Sequence, residues 1–369
     1  MLKRVLIDNF RCFSNFEFRP SPHCLIIGEN GSGKSSFLEA LFLLRSVAVD
    51  GVSIDESFPL ATRTRWRTDA NQTFELEVAL PGGNYRYTMV LDRVGQNERA
   101  RAASEKVSLD GKDLFLFESG EIHLFNDRFE DKVHFPFDWH RSGLATVQSR
   151  PDNQKLMAFR EWFSTLLLLR PHFLLSQGSI ANGESGVPGY HFQSFMNWYL
   201  NSYLEKPVVN SKFVATLSQV IPDLVALKFQ NLGPGGRLLK AELQTPGSEK
   251  PYELLFEELS DGQRLLAALY SVLYFALADG RTAIIDEPDN FVALREIQPW
   301  LLELEREQSD SGQHILLSHH PEMLDNYALE DIFRFRRVAA GVVRAEPIKE
   351  LPASDLPLKE LIARGWLDE

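Results

Sequence analysis

Residues Gly28-Glu29-Asn30-Gly31-Ser32-Gly33-Lys34-Ser35 have the spacing of a loop that wraps phosphate. Glycine at 28, 31 and 33 lets successive backbone N–H groups turn inward, and a helix opening at Lys34 adds its positive dipole end. In such a loop Asn30, Gly31, Ser32, Gly33 and Ser36 line the phosphates. Lys34 reaches the β- and γ-phosphoryl oxygens, and Ser35 offers a hydroxyl to Mg²⁺. A glycine-rich turn matching by chance is the alternative. The apolar stretch Cys24-Leu25-Ile26-Ile27 before the loop and the helical pattern Phe37 to Leu44 after it argue for a nucleoside triphosphate site.

Further along, Ala283-Ile284-Ile285-Asp286-Glu287-Pro288 reads as an apolar strand ending in two carboxylates. In this pattern Asp286 holds Mg²⁺, usually through water, and Glu287 activates the attacking water; an exposed acidic turn is the plainer alternative. Leu259-Ser260-Asp261-Gly262-Gln263-Arg264 precedes the longest apolar helical run and places a hydroxyl and a glycine N–H at a helix N-terminus. Such a terminus can take an anion, or Ser260 can serve as a simple cap. His314-Ile315-Leu316-Leu317-Ser318-His319-His320 reads as a strand with histidines at its end.

Along the chain these motifs run phosphate loop, Ser260 segment, paired carboxylates, histidine, and in that order they resemble those of ABC-type ATPases. The Ser260 segment is similar to the signature Leu-Ser-Gly-Gly-Gln with Asp261 replacing its first glycine, a variant found in RecF-, SMC- and OLD-like proteins. Ile7-Asp8-Asn9-Phe10-Arg11-Cys12-Phe13 resembles the Asn-Phe-Arg opening of the same group. The resemblance implies an ATP- and Mg²⁺-dependent ATPase. In it Ser260, Asp261, Gly262 and Gln263 close in trans on ATP held by a second subunit, giving a homodimer sandwiched around nucleotide. It implies that His319, rather than His320, meets the γ-phosphate and attacking water. Arg11 then lies near the nucleotide or forms a structural ion pair. Gln72 and Gln148 are candidates, on order alone, for the glutamine that senses Mg²⁺. Asp289 and Asn290 stand where the group has its subunit-communicating loop, but Phe291-Val292-Ala293-Leu294 replaces the usual histidine-proline ending. ATP is favoured over GTP, since no Asn-Lys-x-Asp motif occurs.

Composition limits the partners. With 369 residues and 44% hydrophobic content the chain can build large cores, and a net charge of −12 argues against indiscriminate coating of nucleic acid. DNA would need a focal site, for which Arg63-Thr64-Arg65-Trp66-Arg67 is the one pointer: extended, it would align three guanidiniums, although an ion-paired loop is the simpler reading. The two cysteines, Cys12 and Cys24, sit in apolar patterns and fit reduced, buried thiols in the cytoplasm better than a disulfide; a Cys/His metal site is unsupported. No leader pattern is apparent, and Leu265 to Ala278 falls short of the roughly 20 residues of a membrane span.

The elements that must position these groups follow from periodicity. Residues 2–19 read as two short strands, and Phe74–Leu80 and Tyr85–Leu91 as a β-hairpin around Pro81-Gly82-Gly83-Asn84. Lys155 to Leu169, Phe192 to Leu204 and Val208 to Ile221 read as helices. Helix and strand then alternate through Gln263–Ala278, Thr282–Asp286, Arg295–Glu307 and His314–Ser318, the rhythm of a parallel sheet covered by helices. The expected fold is α/β: a P-loop NTPase of the ABC ATPase head type with mixed and parallel strands, an N-terminal antiparallel part and an inserted helical lobe. The expected division is 1–145 (P-loop and β-hairpin), 146–222 (helical lobe) and 223–369 (signature, carboxylates and histidine).

About 200 residues separate the P-loop helix from Ser260, without sustained heptads, which disfavours a transporter subunit and a long coiled coil. About 50 residues after His319 leave no room for a nuclease domain of ordinary size. The resemblance therefore points to an ATPase coupling hydrolysis to DNA clamping or to control of a separate effector, such as a nuclease or toxin subunit in anti-phage defence. The alternatives are a transporter's nucleotide-binding subunit and an ATP-sensing regulator with little turnover.

Overall fold

The computed structural model describes residues 1–94, 98–171, 178–233, 235–245, 247, 250–338, 341–348 and 360. Its contacts divide the chain into two compact units, Met1–Ser164 with Leu329–Glu350, and Thr165–Ala328.

In the first unit the predicted hairpin forms around Pro81-Gly82, with Phe74 opposite Met89 and Leu80 opposite Gly83. It is the middle of something larger. Eight antiparallel strands run in the spatial order Phe16–Phe18, Leu2–Asp8, Gln72–Leu80, Gly83–Val94, Arg99–Leu109, Lys112–Glu118, Glu121–Phe125 and Asp131–Pro136. In Gln72–Leu80 buried and half-exposed residues alternate over most of its length, as a sheet with one covered face requires. The second N-terminal strand is shorter than expected. Phe10 and Phe13 close a tight turn by exchanging N–H···O bonds of 3.1 and 2.7 Å, so Phe13 lies before the strand that begins at Phe16. A second set of strands in this unit pairs His23–Ile27 in parallel with Ile332–Arg337, which pairs antiparallel with Val343–Pro347. The helix Lys34–Ala48 lodges Phe37 against Phe16, Phe18 and Phe335 at 6.2, 5.6 and 5.7 Å between ring centroids. These edge-on contacts fix how the helix lies on its strands.

The second unit contains the parallel set. Thr282–Asp286 is flanked in parallel by Leu167–Leu169 and Gln313–Ser318, and all three strands are buried throughout. The expected helix Lys155–Leu169 is corrected here: it runs Gln154–Thr165, and the next leucines form a strand. A run of buried leucines carries no period that separates helix from buried strand, and the partner strand decides. The helices Phe195–Glu205 and Pro207–Val220 form as expected. They meet a sheet that periodicity missed, made of Ile180–Ala181, Arg237–Leu243, Leu224–Asn231 and Tyr252–Leu255. Tyr199 joins these parts, packing on Phe213, Phe229 and Phe275 at 5.6, 5.5 and 5.9 Å. The long apolar helix runs Asp261–Val272 and continues as a π-turn through Leu273–Leu277. Among the described residues no helix is long and apolar enough to cross a membrane.

Candidate functional site

The phosphate-binding residues belong to the first unit. The strand His23–Ile27 is buried from Cys24 onward and releases the loop from a fixed point. Ser32 N–H then turns back to Glu29 C=O at 3.1 Å, while Gly31 and Gly33 take φ of 79° and 97°, a region L side chains avoid. Neighbours demand glycine as well. A Cβ on Gly28 would stand 2.6 Å from the Phe335 carbonyl oxygen, and one on Gly33 3.0 Å from Cys12 Sγ.

Gly33 leads into a helix with no acidic residue in its first turn, so the positive end of the dipole is left for an anion. Lys34 is buried at 6% exposure, and its Nζ donates to Gly28 C=O at 2.5 Å and Glu29 C=O at 3.2 Å. Ser32 Oγ is buried with no hydrogen-bond partner, an orphaned hydroxyl inside the loop. Asn30 and Gly31 are exposed, and Ser35 and Ser36 half-buried. A cradle that accepts no Cβ, a lysine folded over it and an unused hydroxyl fit a polyphosphate, and the half-buried Ser35 beside them is a hard oxygen donor suited to Mg²⁺.

Arg11 sits at φ 52° and forks onto Glu39 of the P-loop helix, with Nε and Nη2 at 3.2 and 2.7 Å from its two oxygens. A nucleotide contact by Arg11 requires this pair to open. Gln72 is buried, donating to Asn9 C=O at 3.0 Å and accepting from Arg93 at 2.8 Å, while Gln148 is exposed. Cys12 and Cys24 are free and buried, and burial pushes both thiols above their ordinary range. The arginine segment is not extended: Arg67 N–H closes a turn on Thr64 C=O at 3.1 Å. That turn breaks the predicted alignment. Arg67 is held by Asp8 and Asp69, and Arg63 donates to Asp69 C=O at 2.8 Å.

The carboxylates, the histidines and the Ser260 motif belong to the second unit. Parallel strands end on one edge, so Leu167–Leu169, Thr282–Asp286 and Gln313–Ser318 deliver Arg170, Asp286-Glu287 and His319-His320 together. The Asp286 side chain is wholly buried, with Arg170 Nε 3.5 Å from its Oδ2. Glu287 follows at φ 53°, a conformation held by its own N–H to Leu317 C=O at 2.7 Å and by Asn290 N–H to its C=O at 3.2 Å. One Glu287 oxygen lies 3.3 Å from His319 Nδ1, and the other accepts from Asn290 Nδ2 at 2.5 Å. His320 turns instead to Asp289, at 3.4 Å. Ser318 donates to the Asp289 carboxylate from 3.1 Å, and its oxygen accepts the His320 N–H at 3.0 Å. Burial pushes the Asp289 carboxyl above its ordinary range.

Ser260 caps the helix Asp261–Val272 in a reciprocal box: its Oγ accepts Gln263 N–H at 3.2 Å, and its N–H donates to Gln263 Oε1 at 3.0 Å. Arg264 pairs with Asp261 one turn away. Gly262 touches the loop after the carboxylates, since a Cβ there would meet the Phe291 carbonyl oxygen at 2.9 Å. Phe291 itself stands at φ 69° and is 49% exposed.

Sequence reasoning missed Arg170 and the grip of Asn290 on Glu287. Arg170 had one weak signal: it ends an apolar run in a cation, as Asp286 ends one in an anion.

Residues 1–131 match the AAA ATPase domain family. The fold is similar to the SMC head domain from Thermotoga maritima, with a TM-score of 0.51 at 15% identity over 95% of this chain and 99% of that one. It is also similar to an SMC head solved bound to the C-terminal winged-helix domain of ScpA, with a TM-score of 0.56 at 13% identity over 93% and 96% of the two chains. Residues 1–131 thus match the AAA ATPase domain family, and the chain has the fold of an SMC head domain.

Proposed function

We propose that this chain binds ATP with Mg²⁺, hydrolyses it, and dimerises around it. The observation that carries the reading is the Glu287 carboxylate, held at a strand end between His319 and Asn290, one residue after the buried Asp286. A base for water activation needs a fixed oxygen with limited freedom, and positive φ together with two side-chain partners supplies that. In this reading the loop from Asn30 to Ser36 holds the phosphates and Lys34 leaves its two carbonyls to neutralise developing charge. Ser35 and Asp286 are the residues that hold Mg²⁺, which when bound neutralises phosphoryl oxygens. Glu287 orients water and takes its proton, and His319 steadies Glu287 and reaches toward the transferred group.

Ser260, Asp261, Gly262 and Gln263 act across the dimer. Support comes from the exposed cap at Ser260 and from the contact of Gly262 with the loop that follows the carboxylates. The output of the cycle is clamping of DNA or control of a separate effector subunit, such as a nuclease or toxin in anti-phage defence. An SMC head of this fold carries a winged-helix domain of ScpA, which favours a protein partner.

Glu287→Gln tests the core of the proposal. Binding of ATP is expected to persist while turnover falls by about 10²–10⁴-fold. The variant should also accumulate as a dimer on a sizing column with ATP. A variant that stays monomeric with ATP bound would exclude the sandwich, and one that hydrolyses at the wild-type rate would exclude Glu287 as the base.

A further inference from the structure

His123 and His134 face each other directly across Glu121–Phe125 and Asp131–Pro136, the last two strands of the eight-stranded sheet. Their rings meet edge-on with centroids 4.2 Å apart. Asp131 lies three residues before His134, an odd separation that in a regular strand would put the two on opposite faces. The strand is not regular there. Pairing passes from Leu124↔Val133 to Phe125↔Asp131, so Lys132 is the extra residue of a β-bulge, the device by which strands re-aim side chains. Asp131 thereby joins the histidines' face. One carboxylate oxygen lies 3.5 Å from His123 Nδ1 and the other 2.9 Å from His134 Nε2. The three donor atoms lie within 4.8 Å of one another.

Two imidazoles and one carboxylate are a donor set for Zn²⁺ that leaves the fourth tetrahedral position to water. Bonds of about 2.0–2.2 Å place tetrahedral ligands about 3.3 Å apart, so donor atoms within 4.8 Å of one another on partly exposed side chains can close on the ion by small rotations. Among the described residues the strand Asp131–Pro136 is also the outer edge of its sheet, paired from one side. We propose that His123, Asp131 and His134 form a Zn²⁺ site that pins this edge strand to its neighbour. The site is independent of the ATP chemistry, since it shares no residue with it.

The test uses tag-free, full-length protein freed of metal by chelation and dialysis. It is titrated with ZnCl₂ by calorimetry and with Co²⁺ by visible absorption. One equivalent is expected, with the intense d–d bands of tetrahedral Co²⁺ and a Tm that rises on adding zinc. His123→Ala and His134→Ala should each weaken binding at least about tenfold, and Asp131→Asn less, while Lys34→Ala and Asp286→Asn leave it unchanged. His134→Gln, on a half-exposed position, gives a second variant if the alanines fold poorly by circular dichroism. Absence of uptake by the wild type at about 100 μM zinc, or equal uptake by the His123→Ala/His134→Ala protein, overturns the site.

Discussion

At the scale of single residues, the phosphate loop is the sharpest case. Gly33→Ala would put a methyl group at φ 97° and 3.0 Å from Cys12 Sγ. The left-handed conformation alone costs a non-glycine residue about 1–2 kcal/mol, so affinity for a fluorescent ATP analogue should fall about tenfold or more. Lys34→Ala should remove binding altogether while leaving the fold intact, because its Nζ bonds to Gly28 and Glu29 C=O steady the loop. If either variant binds the analogue as the wild type does, the cradle is not the site. Lys34, Asp286 and Glu287 were legible in the sequence because each motif is local: a few consecutive residues carry both the backbone conformation and the chemistry. Arg170 was not, since only the parallel pairing of Leu169 with Ile285 brings it to the carboxylates.

At the scale of elements, Glu105 shows what a sheet can conceal. It is wholly buried in the strand Arg99–Leu109, and each of its partners donates to it: Tyr87 OH at 3.0 Å, Ser142 Oγ at 2.6 Å, and the N–H groups of Gly143 and Leu144 at 2.9 and 3.4 Å. Glu105→Gln, although the same shape, would turn an NH₂ group toward donors and strand at least one of them. A loss of about 1–3 kcal/mol in urea unfolding is expected. Burial raises the Glu105 pKa in the folded state, an effect that its hydrogen bonds partly offset. A raised folded value means that the group's contribution is complete below the unfolded pKa and is lost as pH rises through the folded one. The stability gap between wild type and Glu105→Gln should therefore narrow as pH climbs above the ordinary glutamate range. A gap that widened would assign the wrong sign to the burial. Glu105 was not legible in the sequence, but part of the sheet beyond the central hairpin was written there: Asp110-Gly111 and Ser119-Gly120 are two-residue turns at positive φ that join Arg99–Leu109, Lys112–Glu118 and Glu121–Phe125.

At the scale of the whole molecule, the net charge of −12 sets the question of DNA. Arg63 and Arg67 are engaged by Asp8, Asp69 and Glu98, leaving Arg65 and the half-exposed Trp66 as the outward-facing members of the segment. Replacing Arg63, Arg65 and Arg67 together is expected to change DNA affinity by less than about twofold at moderate salt. A large, salt-sensitive loss in a filter-binding assay would restore this segment as a nucleic-acid site. For the effector reading, Lys34→Ala should abolish any protection against phage that the wild-type gene confers; unchanged plating efficiencies on a broad phage set would count against it.

By itself the sequence determined the phosphate loop, the paired carboxylates, the capping serine and the alternating rhythm of strand and helix. Each of these is written in short-range spacing, where turn geometry and side-chain type suffice. Only the tertiary structure decided that Leu167–Leu169 is a strand, that Glu287 is gripped by His319 and Asn290, and that a bulge carries Asp131 to two histidines. Those outcomes depend on which strands lie side by side and in what register. That is settled by burial and backbone pairing between segments far apart in the chain, which no local pattern records.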